Sequence, residues 1–118
     1  MLTVYGYRGC GTCKKAYTYL KENNIPFEEK AIRETPPSIA ELTLMLSQYD
    51  GKLNKLFNTS GGTYREMNLK EKLPTMRTED ALQLLHENGN LVKRPFAILG
   101  NKGIVGFKEE VWDNFLEK

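Results

Sequence analysis

Two cysteines, Cys10 and Cys13, are the only ones in the 118-residue chain, and only Gly11 and Thr12 separate them. Two thiols at that spacing can exchange electrons as a dithiol–disulfide pair, hold half of a zinc site, or close a structural bridge. Zinc would need two further ligands, but the sequence offers one histidine, the distant His86, and no third cysteine. A bridge between positions 10 and 13 would close too small a loop to remove much chain entropy. Redox or nucleophilic sulfur chemistry is the reading that these residue types favour.

The flanking pattern places the pair where such chemistry is helped. Leu2, Val4, Tyr5 and Tyr7 form a short β-prone run. From Cys13 onward the apolar spacing becomes helical, with Cys13, Ala16, Tyr17 and Leu20 on one face, which predicts a helix from about Gly11 to Glu22. Cys10 then sits at the helix N-terminus, where unpaired N–H groups and the positive end of the macrodipole favour a thiolate, the form that attacks. Arg8, Lys14 and Lys15 add positive charge nearby. Cys13, one turn deeper, is placed to attack a mixed disulfide on Cys10 and release the product.

Asn23, Asn24 and then Ile25-Pro26 end this helix, and residues 27–32 read as a polar outer strand parallel to the first. Ser38 and Glu41 have capping-box spacing, opening a helix whose apolar positions Ile39, Leu42, Leu46 and Tyr49 run to a stop at Asp50-Gly51. Leu53, Leu56 and Phe57 suggest a short helix, residues 58–62 a polar loop, and residues 64–73 broken helix closed by Pro74. Thr78 is a candidate N-cap for a helix bearing Ala81, Leu82 and Leu85, on which His86 reads as a surface or half-buried residue without a metal or base role. Phe96–Leu99 and residues 104–107 form a hairpin with its turn at residues 100–103. Val111, Trp112, Phe115 and Leu116 mark the core face of a closing helix.

At 40% hydrophobic residues the chain can bury one domain's core, spanning residues 1–118. A net charge of +2 with dispersed basic residues does not suggest a nucleic-acid binder. The N-terminus lacks signal-peptide character, and no stretch approaches the ~18 apolar residues of a membrane helix. The expectation is a cytoplasmic protein, where CxxC pairs are kept for chemistry more than for architecture.

The order strand, CxxC helix, strand, helical middle, hairpin, helix is that of an α/β thioredoxin-like fold with a helical insertion at about residues 36–88 between its two halves. Four stretches, residues 5–16, 35–38, 56–66 and 92–95, resemble the ArsC-type arsenate reductase family, which includes the Spx-like transcriptional regulators. They fall in the family's order and are spread over residues 5–95. The resemblance implies that Cys10 attacks an oxidised substrate and that Arg94 holds an oxyanion or steadies the thiolate. It also implies that the bond before Pro95 is cis, setting that loop against Cys10. Gly11, Thr12 and Pro95, with Arg8 and Arg65, are the further candidates for contacting substrate. A helix N-terminus with a guanidinium is a sound cradle for arsenate. Yet where the family's arsenate reductases use further arginines, this chain has Asn58 and Phe107, which should weaken capture of an oxyanion.

Three expectations follow. The first is a thiol-dependent oxidoreductase: Cys10 attacks arsenate or a disulfide, Cys13 resolves, and glutathione with glutaredoxin, thioredoxin or another external thiol reduces the pair, with no bound cofactor and no metal. The second is an Spx-like redox sensor that contacts RNA polymerase through the insertion around Gly51. The Spx-like members carry a basic Arg-Ser-Lys stretch where this chain has the uncharged residues 58–62, which favours the first reading. The third is a glutathione-binding protein without a reaction of its own.

Overall fold

The computed structural model describes residues 1–117. A four-stranded sheet in the order β2-β1-β3-β4 forms from β1 (Leu2–Gly6), β2 (Phe27–Ala31), β3 (Phe96–Leu99) and β4 (Lys102–Val105). β1 and β2 run parallel with Val4 opposite Glu29, as a strand–helix–strand crossover requires. β3 lies antiparallel to β1, Val4 opposite Ala97, and β4 closes the hairpin. The polar strand β2 takes an edge of the sheet, as its charged residues predict.

Alternation along the strands sends successive side chains to opposite faces. Leu2, Val4 and Ala97 face α1 (Gly11–Glu22) and α6 (Glu109–Phe115), where they pack with Cys13, Ala16, Leu20 and Trp112. Tyr5 and Phe96 face the other way, into α2 (Ile39–Gln48) and α5 (Thr78–Glu87), meeting Leu42, Met45, Leu82 and Leu85. The arrangement is the thioredoxin-like α/β sandwich that the element order predicts, with the insertion supplying most of the second helical layer. That insertion also holds a 3-10 turn at Leu53–Leu56 and two short helices, α3 (Gly62–Glu66) and α4 (Leu69–Lys72). No helix among the described residues is long and apolar enough to cross a membrane.

The capping box forms as spaced: Glu41 N–H donates to Ser38 Oγ at 3.1 Å and Ser38 N–H to Glu41 Oε1 at 3.0 Å. Tyr5 Oη also donates to that carboxylate at 2.7 Å, tying the start of α2 to the central strand. Four expectations are corrected. Thr78 is the first helical residue, and Arg77 holds the N-cap position without a side-chain cap. The second strand ends at Ala31, and Ile32 turns fully into the core. β4 starts two residues before Ile104, because Gly100 with φ +62° tightens the turn; Gly106, φ +74°, then bends Phe107 out of the sheet. Val111 is 45% exposed, so Trp112 anchors α6 without it.

Candidate active site

β1 delivers the chain to α1 through residues 7–10. Cys10 N–H donates to Tyr7 O at 2.9 Å, and Cys10, extended at φ −89° and ψ 121°, is the N-cap: its carbonyl accepts the first helical bond from Lys14 N–H at 3.1 Å. Cys10 is half-buried and Cys13 fully buried, both as free thiols. The first turn of α1 carries no acidic residue.

The two sulfurs are driven apart in acidity. Burial pushes the Cys10 thiol up, but the N–H and S–H of Cys13, the N–H of Thr12 and the Arg94 charge together outweigh it and hold Cys10 below the ordinary thiol range. Burial pushes Cys13 the other way, up to about 12, and the proton that Cys13 shares with Cys10 reinforces the shift. The pair therefore loses its first proton mainly from Cys10. A thiolate at the mouth with a protonated thiol behind it is the state from which nucleophilic attack starts.

Arg94 is brought to this site by the loop that leads into β3, the strand antiparallel to β1. The segment before it is pinned by Asn58 N–H to Leu91 O at 2.7 Å, Lys93 N–H to Leu56 O at 2.8 Å, and the pairing of Phe57 with Val92. Gly89 is required upstream, since a Cβ there would lie 1.9 Å from Ile32 O. The Arg94–Pro95 bond is cis, and Pro95 is buried, its carbonyl accepting from Gly106 N–H at 2.9 Å. The Arg94 guanidinium lies 5.8 Å from the Tyr7 ring centroid, and Arg33 packs on the same ring at 3.8 Å.

The other candidates fall at different distances from the chemistry. Gly11 and Thr12 are exposed at the start of α1. Arg8 is 89% exposed and pairs with Glu29 at 3.3 Å. Arg65 is exposed, its Nη1 donating to Ser60 O at 3.1 Å within its own loop. Lys14 and Lys15 are exposed, so the cation acting on Cys10 is Arg94 rather than its sequence neighbours. Asn58 serves its loop, accepting from Gly61 N–H at 3.1 Å, and the Phe107 ring packs 5.5 Å from Tyr19 and 5.6 Å from Trp112.

Sequence reasoning missed three residues. Tyr7 and Arg33 complete the aromatic–guanidinium stack beside Arg94, and Arg33 carries no local signal because it lies in a turn after an edge strand. Tyr17 reads as core from its spacing, yet its hydroxyl is buried without a hydrogen-bond partner among the described residues. A cleft of about 600 Å³ adjoins the site, bounded by Thr12, Arg94, Lys93, Lys55, Phe107 and Lys108. Among the described residues no group of three or more histidine, cysteine or acidic side chains is arranged to hold a metal ion.

The chain resembles known proteins along nearly all of its length. It is 46% identical over 112 residues, 95% of either chain, to the uncharacterized protein YusI of Bacillus subtilis. It is 32% identical over 118 residues, all of this chain and 88% of the relative, to the global transcriptional regulator Spx of Enterococcus faecalis. Among solved structures, an ArsC-family-related protein from Bacteroides fragilis superposes with a TM-score of 0.87 at 40% identity, over 96% of this chain and 97% of the other. A "possible arsenate reductase" from Streptococcus mutans gives 0.88 at 34% identity, over 96% and 98%. The ArsC family model matches residues 5–115. Matched by that model over nearly its whole length, the chain belongs to the ArsC family.

Proposed function

We propose that the protein is a thiol–disulfide oxidoreductase in which Cys10 is the nucleophile and Cys13 the resolving thiol. The observation that carries this reading is the divergence of the two thiols, Cys10 held low at a helix N-terminus and Cys13 raised to about 12 one turn behind it. In the first half-reaction the Cys10 thiolate attacks one sulfur of a disulfide, and the other sulfur leaves as a thiolate. In the second, Cys13 attacks Cys10 and displaces the remaining thiol, so that the protein ends as a Cys10–Cys13 disulfide. An external thiol, glutathione with glutaredoxin or the thioredoxin system, restores the dithiol. Arg94 steadies the thiolate and the departing anion, and Thr12 and Pro95 border the incoming group.

A disulfide suits the site better than arsenate. A tetrahedral oxyanion gains most from several converging guanidinium forks. Here Arg94 acts alone on the sulfur, Arg8 and Arg65 engage Glu29 and Ser60, and Asn58 and Phe107 are held in loop and aromatic packing. The adjoining 600 Å³ cleft matches the size range of an organic ligand rather than a single oxyanion.

Purified protein is to be assayed with arsenate, bis-hydroxyethyl disulfide and a glutathionylated peptide, each with and without glutaredoxin or thioredoxin. Disulfide turnover that exceeds arsenate turnover and is lost in Cys10→Ser supports the proposal. No turnover of any disulfide with either reductant would overturn it. A second reading is favoured by the similarity to Spx over all 118 residues of this chain: the same dithiol as a sensor, with the insertion presented to RNA polymerase. Retention of RNA polymerase on the immobilised protein, without disulfide turnover, would select that reading.

A further inference from the structure

Tyr17 is 8% exposed, and its hydroxyl oxygen is buried without a partner among the described residues. Buried hydroxyls of this kind are nearly always satisfied, so an orphan beside a reactive centre calls for a partner. The ring is fixed by parallel stacking on Phe27, 5.8 Å between centroids and 4° between planes. Tyr17 follows Cys13 by four residues on α1, so its side chain leans back over the turn that carries that sulfur. A Cβ on Gly6 would lie 2.1 Å from Tyr17 Oη and 3.3 Å from Cys13 Sγ; hydroxyl and sulfur therefore converge on one bare patch of β1.

Building on the dithiol reading above, we propose that Tyr17 is a positioning residue for the resolving step, its hydroxyl donating a hydrogen bond to Cys13 Sγ when that sulfur becomes a thiolate. In the reduced protein the Cys13 proton is shared with the Cys10 thiolate. Once Cys10 is bonded to substrate sulfur, that acceptor charge is gone and Cys13 must ionise inside the core. Tyr17 does not take the proton. Burial first, then the charges of Glu29, Cys13 and Cys10, keep its phenol protonated, against a smaller opposing pull from Arg8. The proton passes to solvent at the half-buried Cys10 end. Cys13 sulfur then attacks Cys10 Sγ, the Cys10–Cys13 bond forms as the Cys10–substrate bond breaks, and the electron pair leaves on the substrate sulfur, which takes up a proton. The dithiol is oxidised by two electrons and the substrate disulfide is reduced to two thiols. The groups facing this event are the Tyr7 N–H, which favours the Cys13 thiolate without outweighing burial, Glu29 from β2, Arg8 and Arg94 from the flanking loops, and Cys10 from the helix start.

The test uses the full chain and its Tyr17→Phe variant, which keeps the ring stacking. Reduced protein is mixed with excess bis-hydroxyethyl disulfide, and acid-quenched samples are read by mass spectrometry for adduct and internal disulfide, from about pH 6 to about pH 10.5. Loss of a hydrogen bond to a charged sulfur raises the pH midpoint of adduct conversion by about one to two pH units. A more basic thiolate is the better nucleophile, which recovers nearly half of this logarithmically. The expected result, along the rising limb of the profile that this range covers, is conversion slowed roughly threefold to tenfold with adduct formation unchanged. A conversion rate along that limb equal to that of the wild type, or an equal slowing of adduct formation and conversion, overturns the assignment. If the wild-type adduct never converts, the dithiol reading itself fails, and this inference with it. Melting curves of both proteins establish that the variant is folded.

Discussion

Replacing Cys13 by alanine removes one of three donors that the structure aims at the Cys10 sulfur, leaving the Cys13 and Thr12 N–H groups in place. A hydrogen bond to a charged partner contributes about 1.5–3 kcal/mol, and one pH unit corresponds to about 1.4 kcal/mol, so the Cys10 midpoint should rise by about one to two pH units. Cys13→Ser restores an O–H donor at the same place and should return most of that difference. The assay is the rate of alkylation of Cys10 against pH, read by peptide mass so that the two thiols are separated. The predicted order of midpoints is wild type close to Cys13→Ser, with Cys13→Ala above both. A Cys13→Ala midpoint equal to that of wild type would refute the idea that the buried thiol acidifies its neighbour. Equality of serine and alanine would show that volume rather than hydrogen bonding matters.

Arg94→Gln should also raise the Cys10 midpoint, by less than Cys13→Ala because the guanidinium is half-exposed and partly screened, and the same alkylation series at low and high salt measures it. Tyr17→Phe, by deleting a buried hydroxyl without a partner, should stabilise the protein by about 1 kcal/mol and raise its Tm by a few degrees; a lower Tm would show that the hydroxyl is satisfied in solution. Gly6→Ala should cost roughly 1–3 kcal/mol in denaturant unfolding, because the new methyl would overlap the Tyr17 hydroxyl at 2.1 Å. Cys13 predicts an alkaline limb of instability. Its folded value is raised from 9.0 to about 12, chiefly by burial, so its contribution to stability is complete below pH 9.0 and is lost as pH climbs towards 12. Tyr5, Tyr17 and Tyr19 push in the same direction, so the measurement is the difference between wild type and Cys13→Ala in unfolding free energy across that range.

The sequence makes legible what is local or periodic. The face formed by Cys13, Ala16, Tyr17 and Leu20, the Ser38–Glu41 box and the position of Cys10 at a helix start all depend on neighbours within a turn or two, and all stand as read. What depends on the meeting of distant segments is not legible. Arg94 reads as a loop charge until the backbone bonds of Lys93 to Leu56 and of Gly106 to Pro95 hold its loop beside β1, and Arg33 gains meaning only against Tyr7. The charges of Lys14 and Lys15 were nearest in sequence but point to solvent, so proximity along the chain overstated their effect. The spacing puts Tyr17 in the core, where it lies, but periodicity carries no information about whether a hydroxyl finds an acceptor. Strand ends shifted where glycines took positive φ, which apolar pattern alone does not time.

The division of labour between the two sulfurs is tested most directly by mapping the product after one equivalent of bis-hydroxyethyl disulfide meets the reduced protein. The wild type should end with a bond between Cys10 and Cys13 and no retained substrate, and Cys13→Ser should retain the substrate on Cys10. A stable adduct on wild-type Cys10, or modification that begins at Cys13, would contradict the account.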